Sequence, residues 1–135
     1  MKPLFLCVGN SIRSQIAEGV AKALLGPAVP VQSAGIAPSG VHPLAAQVLS
    51  EIGVDARRQR SKSVHEIDPA GVDTVVTLCE REVCPPALAH LRRLHWPMPD
   101  PLLGGGDAHA VLERFRALRD ELGRRIEALA KEPRA

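Results

Sequence analysis

The chain contains no tyrosine, and its other aromatics are two phenylalanines and one tryptophan. Any aromatic wall for a ligand must therefore come from Trp96 or a phenylalanine. Cysteine is scarce too. Three is an odd number, which excludes the fully paired disulfide framework of a small secreted domain. In a reducing compartment such thiols are catalytic, metal-bound or inert before they are crosslinks. Excess charge is also lacking. The 17 basic and 15 acidic residues leave a formal charge of +2, too balanced to make nucleic acid or an anionic membrane the principal partner. No apolar run approaches the ~20 residues of a membrane span, and the N-terminus lacks the pattern of a secretory signal. A cytoplasmic location is expected. With neither repeats nor a linker, the 135 residues read as one domain, residues 1–135.

What is present centres on one octapeptide, Cys7-Val8-Gly9-Asn10-Ser11-Ile12-Arg13-Ser14. It follows the apolar run Leu4-Phe5-Leu6 and leads into a helical pattern. A loop in that position turns its backbone N–H groups towards one point, and the positive end of the helix dipole adds to them. Arg13 can hold two anion oxygens through its planar fork. The same field favours thiolate over thiol at Cys7, with Ser14 as a further donor. Val8, Gly9, Asn10, Ser11, Ile12, Arg13 and Ser14 are therefore candidate oxyanion-binding residues, and Cys7 is the candidate nucleophile. The alternative, a cysteine that merely fills core space, leaves the gathering of Gly, Asn, Ser and Arg around it to chance.

Along the chain, residues 3–8 predict a central parallel strand buried on both faces. A helix over residues 14–25 turns Ile16, Val20 and Leu24 inwards and stops at Gly26-Pro27. A second strand is expected at residues 29–33. Pro43 opens a helix with Leu44, Val48, Leu49 and Ile52 on its inner face, and Gly53 ends it. Residues 57–63 read as a polar, basic surface loop. A helical turn at 64–67 precedes a third strand at 73–78, and residues 91–96 predict a fourth. Asp107 caps a final helix with Val111, Phe115, Leu118, Leu122, Ile126 and Leu129 on one face. Strands alternating with helices imply an α/β fold, an open parallel sheet with helices on both faces. Right-handed crossovers then gather Cys7 to Ser14, Cys79 and Asp100 at one sheet edge.

CVGNSIRSQIAEG closely resembles the phosphate-binding loop of the low-molecular-weight protein tyrosine phosphatases, and more narrowly that of their relatives, the thioredoxin-coupled arsenate reductases. The resemblance covers nearly the whole chain. It implies a three-layer α/β fold with a four-stranded parallel sheet in the order 2-1-3-4. It also implies that Asp100, in Pro99-Asp100-Pro101, is the general acid. Thr77-Leu78-Cys79 and Cys84-Pro85 resemble the reductases' redox segment. On that reading Cys7, Cys79 and Cys84 relay two electrons to arsenate, and thioredoxin reduces the final disulfide. Phosphate is the competing oxyanion, residual phosphatase activity is expected, and so is a monomer.

Other readings stay open here. A phosphomonoester hydrolase needs only Cys7, Arg13 and Asp100, and a non-catalytic module would only bind oxyanions or sense redox state. Cys79 and Cys84 are passive in one alternative. In another they bind zinc with His90 and His95, although the five-residue gap between the pairs is far below the roughly twelve of a zinc finger. No metal centre or tightly bound cofactor is expected. Asn10, Glu18 and Ser33 correspond to residues around a potassium ion in some of these reductases. Ser63 stands where those enzymes offer an aspartate, and hydrogen bonding that shapes the loop is the other reading. The chain departs from the family at Ile12, where many relatives carry another cysteine. Its Cys79–Cys84 spacing is short, and it lacks the tyrosines that follow the aspartate in many phosphatases.

Overall fold

The computed structural model describes residues 1–82 and 84–133. Its first strand, β1 (Pro3–Cys7), is buried along its whole length, as its apolar run requires of a strand with neighbours on both sides. α1 (Arg13–Leu25), β2 (Gln32–Gly35), α2 (Pro43–Ser50), β3 (Thr74–Thr77), β4 (Arg92–His95) and α3 (Ala108–Ala130) follow in that order. The four strands are all parallel and ordered β2-β1-β3-β4. Register aligns Cys7 with Gly35, Leu6 with Thr77, and Thr77 with His95. The segments leaving the strand ends, at Cys7, Leu78 and Trp96, therefore share one edge.

Alternation along the strands divides the core in two. Phe5 and Val76 face a cluster built with Ile16, Val20, Val48, Leu49, Phe115, Leu122 and Ile126 from the three α-helices. Leu4, Leu6 and Val75 face the other way, against Val64, Ile67, Val72 and Leu88. The cover on this second face consists of single 3-10 turns at Val64–Glu66, Pro69–Gly71 and Pro86–Leu88. α3 buries the predicted stripe Phe115, Leu118, Leu122, Ile126 and Leu129, and the Asp107 side chain accepts from Ala110 N at 2.9 Å as its N-cap. Among the described residues no helix is long and apolar enough to cross a membrane.

Three local expectations are corrected. The second strand lies at Gln32–Gly35 rather than residues 29–33, because pairing with Leu4–Cys7 selects it over β-propensity. Leu24 and Ile52 are exposed, and Ala17 and Ala21 take the inner face of α1 where it packs closely. Residues 57–63 are not simply a solvated loop, since Gln59 is buried and bonded to Gln15.

Candidate active site

The loop after β1 is shaped from outside. Its carbonyls are held by neighbouring donors: Val8 O by Ala37 N at 2.9 Å, Gly9 O by Ser39 N at 3.0 Å, and Ser11 O by His42 N at 3.1 Å. Ser61 Oγ adds a bond to Gly9 O at 3.2 Å. With its carbonyls fixed outwards, the loop turns amides inwards, and those of Ser14 and Asn10 help to hold the Cys7 thiol low. Ile12, at the N-cap of α1, has no side-chain cap to offer, so the first-turn amides are left to serve the loop centre. The loop packs so tightly on β2 that a Cβ at Gly35 would lie 2.6 Å from Val8 O and 2.8 Å from Asn10 N. Only glycine fits there.

Asn10 is the internal strut, fully buried, with a positive φ of 44°. Its Nδ2 donates to Ser14 Oγ at 2.8 Å and Ser33 Oγ at 2.9 Å. Its Oδ1 accepts from Gln15 Nε2 at 3.0 Å and Lys62 N at 2.9 Å. Because Ser14 Oγ accepts from Asn10, its own proton is directed to Cys7 Sγ, 2.8 Å away. Gln15 belongs to the extended loop motif, whereas Ser61 and Lys62 support the loop from a distant segment to which no motif spacing points.

Cys79 reaches this site from the end of β3, and its Sγ accepts from Val8 N at 3.3 Å. Leu6, Cys7, Ile36, Thr77, Cys79 and Arg81 line a narrow cavity of about 10 Å³. The Cys7 thiol is held down to about 5 from an ordinary value of 9.0. The largest cause is the hydrogen bond from Cys79. Burial opposes it, and the Ser14 hydroxyl and the Ser14 and Asn10 amides add to the lowering. The Cys79 thiol is pushed up, first by the same bond and then by burial, with the Arg13 guanidinium pulling the other way. Iodoacetamide alkylation of Cys7 should accordingly rise through about pH 5 and be flat near neutrality. An ordinary thiol would still be climbing near pH 8.5.

The other two candidates occupy different places. Arg13 Nη1 donates to Met98 O at 3.1 Å, which ties the Asp100 loop to the start of α1. Asp100 is half-buried, and its Oδ1 accepts from Leu102 N at 2.9 Å. It lines a groove of about 570 Å³ with Glu80, Met98, Leu103 and Leu118, beside the cysteine cavity rather than within it. Cys84 is separate from both. It is half-buried and packs with Leu91 against the second-face cluster.

Neither proposed metal arrangement fits these residues. Among the described residues no group of three or more His, Cys, Asp or Glu side chains could hold a metal ion. The His95 ring is engaged by Thr77 Oγ1 at 2.7 Å and the Glu80 carbonyl at 3.3 Å. The oxygens that would hold potassium are already engaged. Both acceptor positions of Asn10 Oδ1 are filled, Ser33 Oγ donates to Glu18 Oε1 at 2.5 Å, and Ser63 Oγ caps a 3-10 turn. Glu18 itself faces Lys22 Nζ at 2.6 Å and Lys62 Nζ at 3.6 Å.

A thiolate ringed by amides at the head of a helix, on an open parallel α/β sheet, defines a cysteine-based oxyanion enzyme. Residues 2–134 match the model of the low molecular weight phosphotyrosine protein phosphatases, and the chain belongs to that family. Among its relatives is the arsenate reductase of Halalkalibacterium halodurans, 42% identical over 94% of this chain and 93% of that protein. An arsenate reductase solved in its phosphate-binding state superposes with a TM-score of 0.81 at 35% identity, covering 96% of each chain. The thioredoxin-dependent arsenate reductase of Corynebacterium glutamicum gives 0.64 at 30% identity, covering 95% of this chain and 62% of that one.

Proposed function

We propose that this protein reduces arsenate to arsenite through Cys7, Cys79 and Cys84 in turn, with thioredoxin as the reductant. The observation that carries the reading is Cys79, whose sulfur accepts from the first amide of the anion loop and lines one narrow cavity with Cys7. A hydrolase could take a hydrogen bond at that place from any hydroxyl, whereas a redox relay needs a sulfur there. The relatives named arsenate reductases support the same reading.

Arsenate binds to the amides of residues 8–14 and to the fork of Arg13. Cys7 thiolate attacks arsenic(V), and a departing arsenate hydroxyl takes one proton from Asp100 and leaves as water. Cys79 then attacks Cys7 Sγ. An S–S bond forms, the S–As bond breaks, and its electron pair stays on arsenic, which leaves as arsenite. Cys84 attacks Cys79 Sγ, freeing Cys7 and moving the disulfide to Cys79–Cys84. Thioredoxin's dithiol supplies the two electrons that reduce it.

The coupling between the two buried thiols orders these steps. While Cys7 is a thiolate, the hydrogen bond it accepts, then burial, and to a smaller extent its charge keep Cys79 protonated. Bonding to arsenic consumes that charge, and Arg13 then favours the Cys79 thiolate at the moment its attack is due. All three sulfurs belong to one chain, so a monomer suffices, and the reducing cytoplasm is the compartment that keeps them ready. Phosphate competes for the same cradle, and slow phosphomonoester hydrolysis by Cys7, Arg13 and Asp100 accompanies reduction.

The test is arsenite formation with thioredoxin, thioredoxin reductase and NADPH. Wild type should turn over continuously. Cys84→Ser should release about one arsenite per chain and stop as a Cys7–Cys79 disulfide, identified by peptide mapping. Continued turnover by Cys84→Ser under these conditions would remove the third cysteine from the relay.

A further inference from the structure

Beyond the sulfur chemistry, one basic residue in the segment read as a solvated surface loop has an internal place. Lys62 has a side chain only 14% exposed. Its backbone N–H donates to Asn10 Oδ1 at 2.9 Å, and its carbonyl accepts from Gly35 N at 2.9 Å. Its ammonium lies 3.6 Å from Glu18 Oε1, and the Glu18 side chain is 4% exposed. One residue thus touches the anion loop, the end of β2 and the buried carboxylate of α1.

That carboxylate needs compensation, because a buried charge is tolerated only when paired and hydrogen-bonded. Lys22 supplies one partner at 2.6 Å, but its own side chain is 46% exposed and remains hydrated. Ser33 Oγ supplies a hydrogen bond without charge. Lys62 supplies the second, better-shielded cation, and it is covalently part of the wall. With one carboxylate facing two ammonium groups, a further cation would meet net positive charge at Glu18.

The structure assigns Lys62 as a tethered cation: a positioning residue whose ammonium takes the charge-compensating place of an exchangeable monovalent ion behind the anion loop. The loop therefore needs no potassium. Glu18 is held by Lys62, Ser33 by Glu18, and Asn10 by Ser33 and by the Lys62 backbone, so the effect reaches Ser14 and Cys7 through hydrogen bonds already described.

The test measures thermal midpoint and the pH midpoint of Cys7 alkylation on the full chain, in KCl and in choline chloride at equal ionic strength. Wild type should give the same two values in both salts. Lys62→Asp places a carboxylate beside Glu18. In choline chloride it should melt about 4–8 °C lower and alkylate with a raised midpoint, and KCl should restore part of both. Lys62→Arg should keep wild-type behaviour. A potassium response in wild type, a Lys62→Asp protein equal to wild type in choline chloride, or a loss that Lys62→Arg shares would overturn the assignment. Neither readout involves arsenate, so the result stands apart from the reductase reading.

Discussion

Replacing Cys79 by serine is expected to lower steady-state arsenite production by at least about a thousandfold, while hydrolysis of a small aryl phosphate stays within a few-fold of wild type. The two effects separate because the substitution acts on different steps. Serine cannot form the disulfide that releases arsenite, so reduction stops at the Cys7–arsenic adduct. A hydroxyl can still donate to the Cys7 thiolate, so the nucleophile stays activated for phosphoester attack. Cys79→Ala removes that donor as well. Since this bond is the largest cause of the low Cys7 value, the alkylation midpoint should rise from about 5 in the alanine variant and move less in the serine variant. Coupled arsenite assays, aryl phosphate hydrolysis and alkylation against pH read the three effects. Normal arsenate turnover by Cys79→Ser would remove the relay.

Cys7→Ser should remove both activities, by about 10⁴-fold or more, because an alcohol in this field remains protonated where the thiol does not. Anion binding should survive. In the proposed site the anion is held by backbone amides, whose loop is fixed through its outward carbonyls, and by Arg13, and none of these depends on the sulfur. Calorimetric titration with inorganic phosphate should detect binding by a protein that no longer reacts. Retained hydrolysis by Cys7→Ser would contradict the nucleophile, and loss of phosphate binding would mean that the thiolate organises the loop rather than merely occupying it.

The parts of this molecule that could be read in the sequence are those where one local pattern has one physical cause. The run from Pro3 to Cys7 is apolar because both faces of β1 are covered. The stripe from Phe115 to Leu129 has helical spacing because a single face of α3 is buried. Cys7 to Ser14 could be recognised because anion cradle, nucleophile and helix start are contiguous. What escaped the sequence depends on contacts between distant segments. Gln32–Gly35 is a poor strand by composition, made a strand by the register of its neighbour. Gly35 lies beyond the strand expected at residues 29–33, yet its lack of a side chain is required by Val8 and Asn10. Gln59 and Lys62 lie among arginines and serines, and their burial follows from α1 and the anion loop folding over them. Asp100 could be found from its proline neighbours, but its position beside the cysteine cavity rather than in it could not.

The uneven covering of the sheet has a further consequence. Three α-helices lock one side, whereas the side against which Cys84 packs is closed by isolated turns. Peeling the Pro86–Leu88 turn away unburies a single core leucine, Leu88, and its backbone bonds are local to the turn, so this flank should open and close far more often than the molecule unfolds. A protein that must carry an oxidised pair from its interior to another protein's thiol gains from having its weakest seam there, with its catalytic cradle anchored on the rigid side.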